Sequence, residues 1–157
     1  MAEAPFARIT VATDGSKYAE RALDVAISLA KKYDSELNIL SVAPVEMVYV
    51  SAAQPWVPTE VPGGEVPKFR DLVEAAVRKA HGAGVASVAG VCLEGVVTDE
   101  IIGHLEQDPT DLLVIGSRGS SAAKRLFLGS VSDALIHHVQ CPVLVVRLKP
   151  ETGTPGR

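Results

Sequence analysis

The stretch Leu112–Ser132 reads LLVIGSRGSSAAKRLFLGSVS, an apolar run followed directly by a glycine-bearing loop. Leu112–Ile115 is apolar at every position, which predicts a strand covered on both faces. After it come Gly116, Gly119 and the pair Gly129-Ser130, a spacing of Gly, two residues, Gly, nine residues, Gly-Ser. Glycines let a backbone approach a ligand closely, and amides at a loop or helix start hold anions. The stretch therefore predicts an α/β fold that can cradle phosphates where a strand ends.

The rest of the chain repeats this change from β-rich runs to helical patterns. The predicted strands are Ile9–Thr13, Leu37–Val42, Val85–Leu93, Leu112–Ile115 and Val143–Val146. Between them apolar residues recur at helical spacing, with one helix beginning near Ser16. Such alternation predicts repeated βα units and a mainly parallel sheet.

Two segments break the pattern. Seven prolines and glycines occur between residues 43 and 67, which predicts a long irregular loop over about 43–67 and makes it a candidate lid or contact surface. The end of the chain, 149–157, is rich in Gly, Pro and Thr and is predicted to be a flexible tail. Residues 1–148 are then expected to form one domain.

Composition narrows the function classes. The chain has 157 residues, 47% of them hydrophobic, and a net charge of -4. An acidic chain lacks the basic face that nucleic acid or an anionic membrane requires, so neither partner is expected. No apolar run reaches the roughly 20 residues that cross a bilayer, and two distant cysteines indicate neither disulfides nor zinc. We expect a cytoplasmic protein.

The glycine segment also concentrates positive charge at Arg118, Lys124 and Arg125, which suits a phosphate ligand. Plainer interpretations exist for each feature. The cations can form a solvated face, and Asp14 with Gly15 can be a simple turn. Ser130, three residues before an aspartate, can cap a helix. No GxxxxGK[ST] motif occurs, so a P-loop NTPase is not expected.

With its flanks, Val11–Ser16 (VATDGS) and Cys141–Val146 (CPVLVV), the glycine spacing resembles the nucleotide-binding motif of the ATP-binding branch of the universal stress protein family. The resemblance covers roughly residues 6–148. It implies a Rossmann-like, adenine nucleotide alpha hydrolase-like fold with a five-stranded parallel sheet, strand order 3-2-1-4-5, and helices on both faces. It also implies a homodimer formed through the edge strand near Val143–Val146.

The resemblance further implies a role for individual residues. Asp14 would lie near the ribose and near any Mg or Mn carried by the phosphates, Val42 would meet the adenine through its backbone, and Ile115 would pack on the base. The remaining implied nucleotide contacts are Ala12, Thr13, Gly116, Arg118, Gly119, Gly129, Ser130, Val131 and Ser132. In the implied strand order the direction reverses between the first and fourth strands, where open parallel sheets bind ligands.

Three functions are compatible with these observations. The first is a regulator in stress response that binds ATP, or ADP or AMP, and meets a still unknown protein partner. The second is an enzyme, at most a slow ATPase or a phosphoryl or nucleotidyl transferase, because Asp14 is the only carboxylate that can be placed near the phosphates. The third is a nucleotide-free dimerisation module, which the complete glycine pattern disfavours.

Overall fold

The computed structural model describes residues 4–45, 65–119 and 128–148. Strands and helices alternate along these residues, as the sequence predicts. In chain order the elements are β1 (Arg8–Ala12), α1 (Lys17–Tyr33), β2 (Glu36–Pro44), α2 (Val66–Gly82), β3 (Ser87–Gly95), α3 (Val97–Gln107), β4 (Leu112–Gly116), α4 (Ser130–His138) and β5 (Val143–Val146).

These strands form one sheet in which all neighbours are parallel and the order is β3-β2-β1-β4-β5. The predicted fold class and strand order are confirmed. Ile9 in β1 lies between Leu37 of β2 and Leu112 of β4. The chain builds outward from β1 to β3 and then crosses back to β4, so the direction of winding reverses between β1 and β4. A crevice is expected outside the carboxyl ends of these two strands.

Helices cover both faces of the sheet, and each layer has its own apolar core. Helices α1 and α2 enclose one cluster, which includes Leu23 and Ala76. Helices α3 and α4 enclose the other, which includes Ile101 and Leu135. Every residue of β4 is buried, and because alternate side chains of a strand point to opposite faces, β4 contributes to both cores. This explains why its sequence is apolar without alternation.

Local sequence sets both ends of α1. The Oγ of Ser16 accepts a hydrogen bond from the N–H of Ala19 at 3.2 Å, which satisfies one of the unpaired amides of the first turn. At the other end Asp34 adopts a left-handed conformation with φ of 55° and ends the helix. The cap fixes the start of α1 only a few residues beyond β1.

Several element boundaries differ from the predicted ones by one or two residues. The loop predicted over about 43–67 is shorter at both ends, because β2 runs to Pro44, which pairs with Gly95, and α2 begins at Val66. Both prolines are tolerated: Pro44 ends its strand, and Pro67 lies in a first helical turn, where an amide has no partner within the helix. Strand β3 starts at Ser87, two residues after the predicted start at Val85. Val85 is buried and belongs to the end of α2, because its N–H donates a hydrogen bond to Ala80 O.

The core of that predicted loop, residues 46–64, and the predicted tail, 149–157, lie outside the described residues, so their conformations stay predictions. Within the described part of the chain, no helix combines the length and apolar character that a bilayer crossing requires.

Candidate functional site

One cavity of about 220 Å³, here called the inner cavity, opens at the carboxyl ends of β1, β2 and β4. Its walls include every residue singled out above as a nucleotide contact. These are Ala12, Thr13, Asp14, Val42, Ile115, Gly116, Arg118, Gly119, Gly129, Ser130, Val131 and Ser132. The fold thus brings together residues from both sides of the reversal point and from the start of α4. Their contacts with a ligand remain a prediction.

Asp14 reaches the inner cavity from a tight turn between β1 and α1. Its Oδ1 accepts a hydrogen bond from the N–H of Ser16 at 2.9 Å, and Gly15 takes the positive φ of 79° that the turn requires. The N–H of Thr13 donates to Leu40 O at 2.9 Å, which ties the end of β1 to β2. The plain interpretation of Asp14 as a turn residue is therefore correct, and the same turn presents its carboxylate to the cavity.

Two buried serine hydroxyls hold the strand ends beneath the inner cavity. Ser41 Oγ donates to Thr13 O at 2.6 Å, and Ser132 Oγ donates to Gly116 O at 2.8 Å. The proton of Ser132 is thus committed to the backbone of β4, and only its oxygen lone pairs remain for a ligand. Ser41 was not predicted as part of the site. It could have been found as the polar residue next to Val42 in the otherwise apolar end of the second strand.

The glycines of the motif leave space, and none of the three has a positive φ. A Cβ on Gly119 would lie 2.8 Å from Asp14 Oδ2, so the missing side chain makes room for that carboxylate. A Cβ on Gly116 would lie 2.9 Å from the carbonyl carbon of Tyr18 in α1. Helix packing therefore accounts for Gly116, whereas Gly119 serves the cavity itself.

The start of α4 faces the same cavity. Gly129 is the N-cap, its carbonyl accepts from the N–H of Asp133, and no side chain caps the helix. The alternative in which Ser130 caps this helix is therefore wrong. Ser130 is instead the exposed first residue of α4, at the end where amide groups and the helix dipole favour an anion.

The other end of the inner cavity is apolar. Besides Val42 and Ile115, its walls include side chains that the sequence analysis did not assign to a site: Leu40, Pro44, Phe69, Val97 and Ile101. Phe69 comes from the first turns of α2, and Val97 and Ile101 come from α3. Phe69 and Ile101 recur with other apolar residues at helical spacing, but that spacing carries no information on which strand end a helix start will reach.

Charge is unevenly placed around this cavity. Among the described residues that line it, Arg118 is the one cation and Asp14 the one carboxylate. Lys124 and Arg125, the other cations of the glycine segment, lie outside the described residues. No group of three metal-ligating side chains occurs in the described part of the chain. The arrangement suits a ligand with a flat apolar head and an anionic tail.

A second pocket lies at the other end of the sheet and carries Cys141 and His138. Burial raises the pKa of the Cys141 thiol, which keeps it protonated at neutral pH. Cys141 is therefore a weak nucleophile there.

Comparison with known proteins agrees with this architecture. The model of the universal stress protein family matches residues 5–147. Universal stress protein YxiE of Bacillus subtilis is 35% identical over 150 residues, covering 90% of this chain and 99% of its own length.

Two solved structures show the same fold. A universal stress protein in complex with cAMP has 25% identity and a TM-score of 0.67, over 90% of this chain and 97% of that one. The universal stress protein of Archaeoglobus fulgidus in complex with dAMP has 21% identity and a TM-score of 0.64, over 88% and 96% of the two chains. Because the family model spans residues 5–147 and YxiE is 35% identical over 90% of this chain, the chain belongs to the universal stress protein family.

Proposed function

We propose that this protein binds an adenine nucleotide in the inner cavity and acts in stress response as a nucleotide-dependent regulator. One observation carries the proposal: a single cavity joins an apolar end, formed at Val42 and Ile115, to a glycine-lined end with Arg118 and the start of α4. The two ends of a nucleotide match the two ends of this cavity, because the base is flat and largely apolar and the phosphates are anionic.

In this proposal Val42 and Ile115 contact the base, and Asp14 lies beside the ribose. The phosphates are held by the residues at the other end: Gly116, Arg118, Gly119, Gly129, Ser130, Val131 and Ser132. Ser132 would contribute its backbone N–H from the first turn of α4, because its hydroxyl proton is donated to Gly116 O. Ala12 and Thr13 complete the wall at the end of β1.

The described residues fit such a ligand. A Cβ on Gly119 would lie 2.8 Å from Asp14 Oδ2, so a side chain there would displace the carboxylate that lines the cavity. A Cβ on Gly129 would meet the backbone of residues 117–119 at 3.4 Å or more. For a divalent ion, Asp14 is the one carboxylate among the described residues that line the cavity. We therefore propose that any Mg²⁺ or Mn²⁺ is carried mainly by the phosphates, which supply oxygen ligands themselves.

The relative solved with cAMP supports the adenine part of the proposal, because it has this fold and 25% of its residues are identical. We propose ATP, or ADP or AMP, as the ligand on the strength of the cationic, glycine-lined end.

The small number of acid–base groups at the site supports a regulatory role over fast catalysis. Phosphoryl transfer requires a group that orients water or an acceptor, and Asp14 is the one carboxylate among the described lining residues. We propose that hydrolysis, if it occurs, is slow. The bound and empty states would then present different surfaces to a protein partner.

We also propose a homodimer through β5 in the cytoplasm. Strand β5 is an edge of the sheet, and Leu144 within it is 37% exposed. Edge strands with apolar side chains pair readily with a second copy. Light scattering at micromolar concentration is expected to give twice the monomer mass, and a monomer would contradict this part.

Isothermal titration calorimetry tests the binding proposal, with ATP, ADP, AMP and GTP, each with and without Mg²⁺. Gly119→Ala is the informative variant because its methyl group would displace the Asp14 carboxylate. We expect at least about tenfold weaker ATP binding, the size of one lost charged hydrogen bond. Gly103→Ala is the matched control, since a methyl group there meets nothing within 4 Å.

Wild-type protein and Gly103→Ala are expected to bind adenine nucleotides alike. Absence of heat with every adenine nucleotide would contradict the proposed function. Incubation with ATP and Mg²⁺ provides the second readout, in which rapid multiple turnover would contradict the regulatory role and favour an enzyme.

A further inference from the structure

Phe69 occupies a special position at the apolar end of the inner cavity. It is the only aromatic side chain among the described residues that line this cavity, and it is 8% exposed. It also lines a second space of about 860 Å³, the outer groove, which lies between the starts of α1 and α2 and includes Lys17, Tyr18 and Leu72. Phe69 lines both spaces, as do Asp14 and Gly119, and it is the apolar side chain among these three.

The two sides of the apolar end come from different layers of the fold. Phe69 belongs to α2, which packs with α1 on one face of the sheet. Val97 and Ile101 belong to α3, which packs with α4 on the opposite face. The lining of the inner cavity thus includes an aromatic ring from one layer and branched aliphatic side chains from the other.

We propose that Phe69 packs against the base of the bound nucleotide and is a determinant of base specificity in this site. The inference rests on the proposed function, because it assigns the partner of one part of the same ligand. Aromatic rings attract flat heterocycles beyond simple area burial, and this added attraction corresponds to about two- to twelvefold in affinity. A ring is needed at position 69 for that contribution.

The position of Phe69 beside the outer groove also affects which bases the inner cavity can accept. Because Phe69 lines both the inner cavity and the outer groove, its side chain limits how far a base can extend towards α1 and α2. Phe69→Leu keeps an apolar side chain but removes the ring and part of this wall. The variant should lose affinity for a plain adenine base and become more tolerant of substituted ones.

The test compares wild-type protein with Phe69→Leu and Phe69→Tyr by calorimetry with AMP and ATP. Phe69→Leu is expected to weaken both ligands by the same factor, about two- to twelvefold, because only the base contact changes. Phe69→Tyr retains the ring and is expected to bind within about twofold of wild type. The ATP-to-AMP affinity ratio, which reports the phosphate contacts, should stay constant.

Phe6→Leu is the matched control for general loss of stability. Phe6 packs edge-to-face on Tyr33, with ring centroids 5.5 Å apart, and lines neither space. The chain has only three phenylalanines, so phenylalanine-selective labelling gives few signals. Nuclear Overhauser contacts between adenine protons and a phenylalanine ring are expected in wild type and Phe6→Leu, and absent in Phe69→Leu.

Two failures are distinguishable. Wild-type protein that binds AMP, with Phe69→Leu binding as tightly and no ring contact to adenine, overturns the role of Phe69 and leaves the proposed function standing. Wild-type protein that binds no adenine nucleotide overturns both. A change in the ATP-to-AMP ratio in Phe69→Leu would also contradict a role confined to the base.

Discussion

Gly116 ends β4 beneath the inner cavity, and its replacement by alanine tests what this glycine is for. A Cβ at position 116 would lie 2.9 Å from the Tyr18 carbonyl carbon and 3.0 Å from both the Tyr18 carbonyl oxygen and Cβ. Ordinary carbon contacts are about 3.5–4.0 Å, so the methyl group overlaps by roughly 0.5–1 Å with backbone that cannot move alone. Helix α1 must shift away from the sheet.

The expected loss of stability follows from this overlap. Overpacking costs about 1–3 kcal/mol, and replacing glycine offsets about 0.4–1 kcal/mol by restricting the unfolded chain. The free energy of unfolding should therefore fall by up to about 2.6 kcal/mol, which lowers the melting temperature by up to roughly 10 °C for a chain of this size.

Urea unfolding followed by circular dichroism measures the change, on protein freed of nucleotide so that ligand does not raise the apparent stability. Gly103→Ala, in the open middle of α3, is the control and should be more stable than wild type by about 0.5–1 kcal/mol. If Gly116→Ala were as stable as Gly103→Ala, close packing of α1 would not be the reason for this glycine.

Three further predictions concern the residues around this frame. Ser41→Ala removes the hydroxyl bonded to Thr13 O and should cost about 1–3 kcal/mol in urea unfolding, together with weaker ATP binding; unchanged values would contradict its supporting role. Lys79→Met should cost less than about 1 kcal/mol, because the ion pair with Asp24 is half exposed. The pKa of Lys79 is raised above 10.5, chiefly by its hydrogen bond to Asp24. The contribution of this ion pair to the free energy of unfolding is therefore complete below pH 10.5 and should be lost only as the pH rises above that value. A loss near pH 7 would refute this. The pKa of the Cys141 thiol is raised above 9.0 by burial. Iodoacetamide should therefore modify Cys141 more slowly at pH 8 than it modifies a free peptide thiol, and mass spectrometry can measure both rates. Equal rates would contradict this.

The sheet was predictable because its strands are short, apolar and separated by helical patterns. The Leu112–Ile115 run predicted a strand buried on both faces, and β4 is buried at every residue. Strand β2 extends to Pro44 and α2 includes Pro67, although both prolines were interpreted as breaks. Proline is disfavoured only in the interior of a helix or strand, and both of these prolines lie at the end of an element.

The candidate site was predictable only in part. The glycine spacing and the turn at Asp14 are local features of the chain, and the structure brings them to one cavity. Phe69 was not predictable as a lining residue, because its helical pattern reports burial alone. The committed hydroxyl of Ser132 and the tight approach of Tyr18 to Gly116 depend on contacts between distant elements, which spacing does not encode.

The central claim is that an adenine nucleotide enters the cavity at the carboxyl ends of β1 and β4. Titration of ¹⁵N-labelled protein with ATP, followed by amide chemical shifts, locates the ligand directly. We predict the largest shifts at Thr13, Gly119 and Gly129, with little change at Cys141 on the far side of the sheet. Shifts that cluster around Cys141, or no shifts at millimolar ATP, would contradict the account.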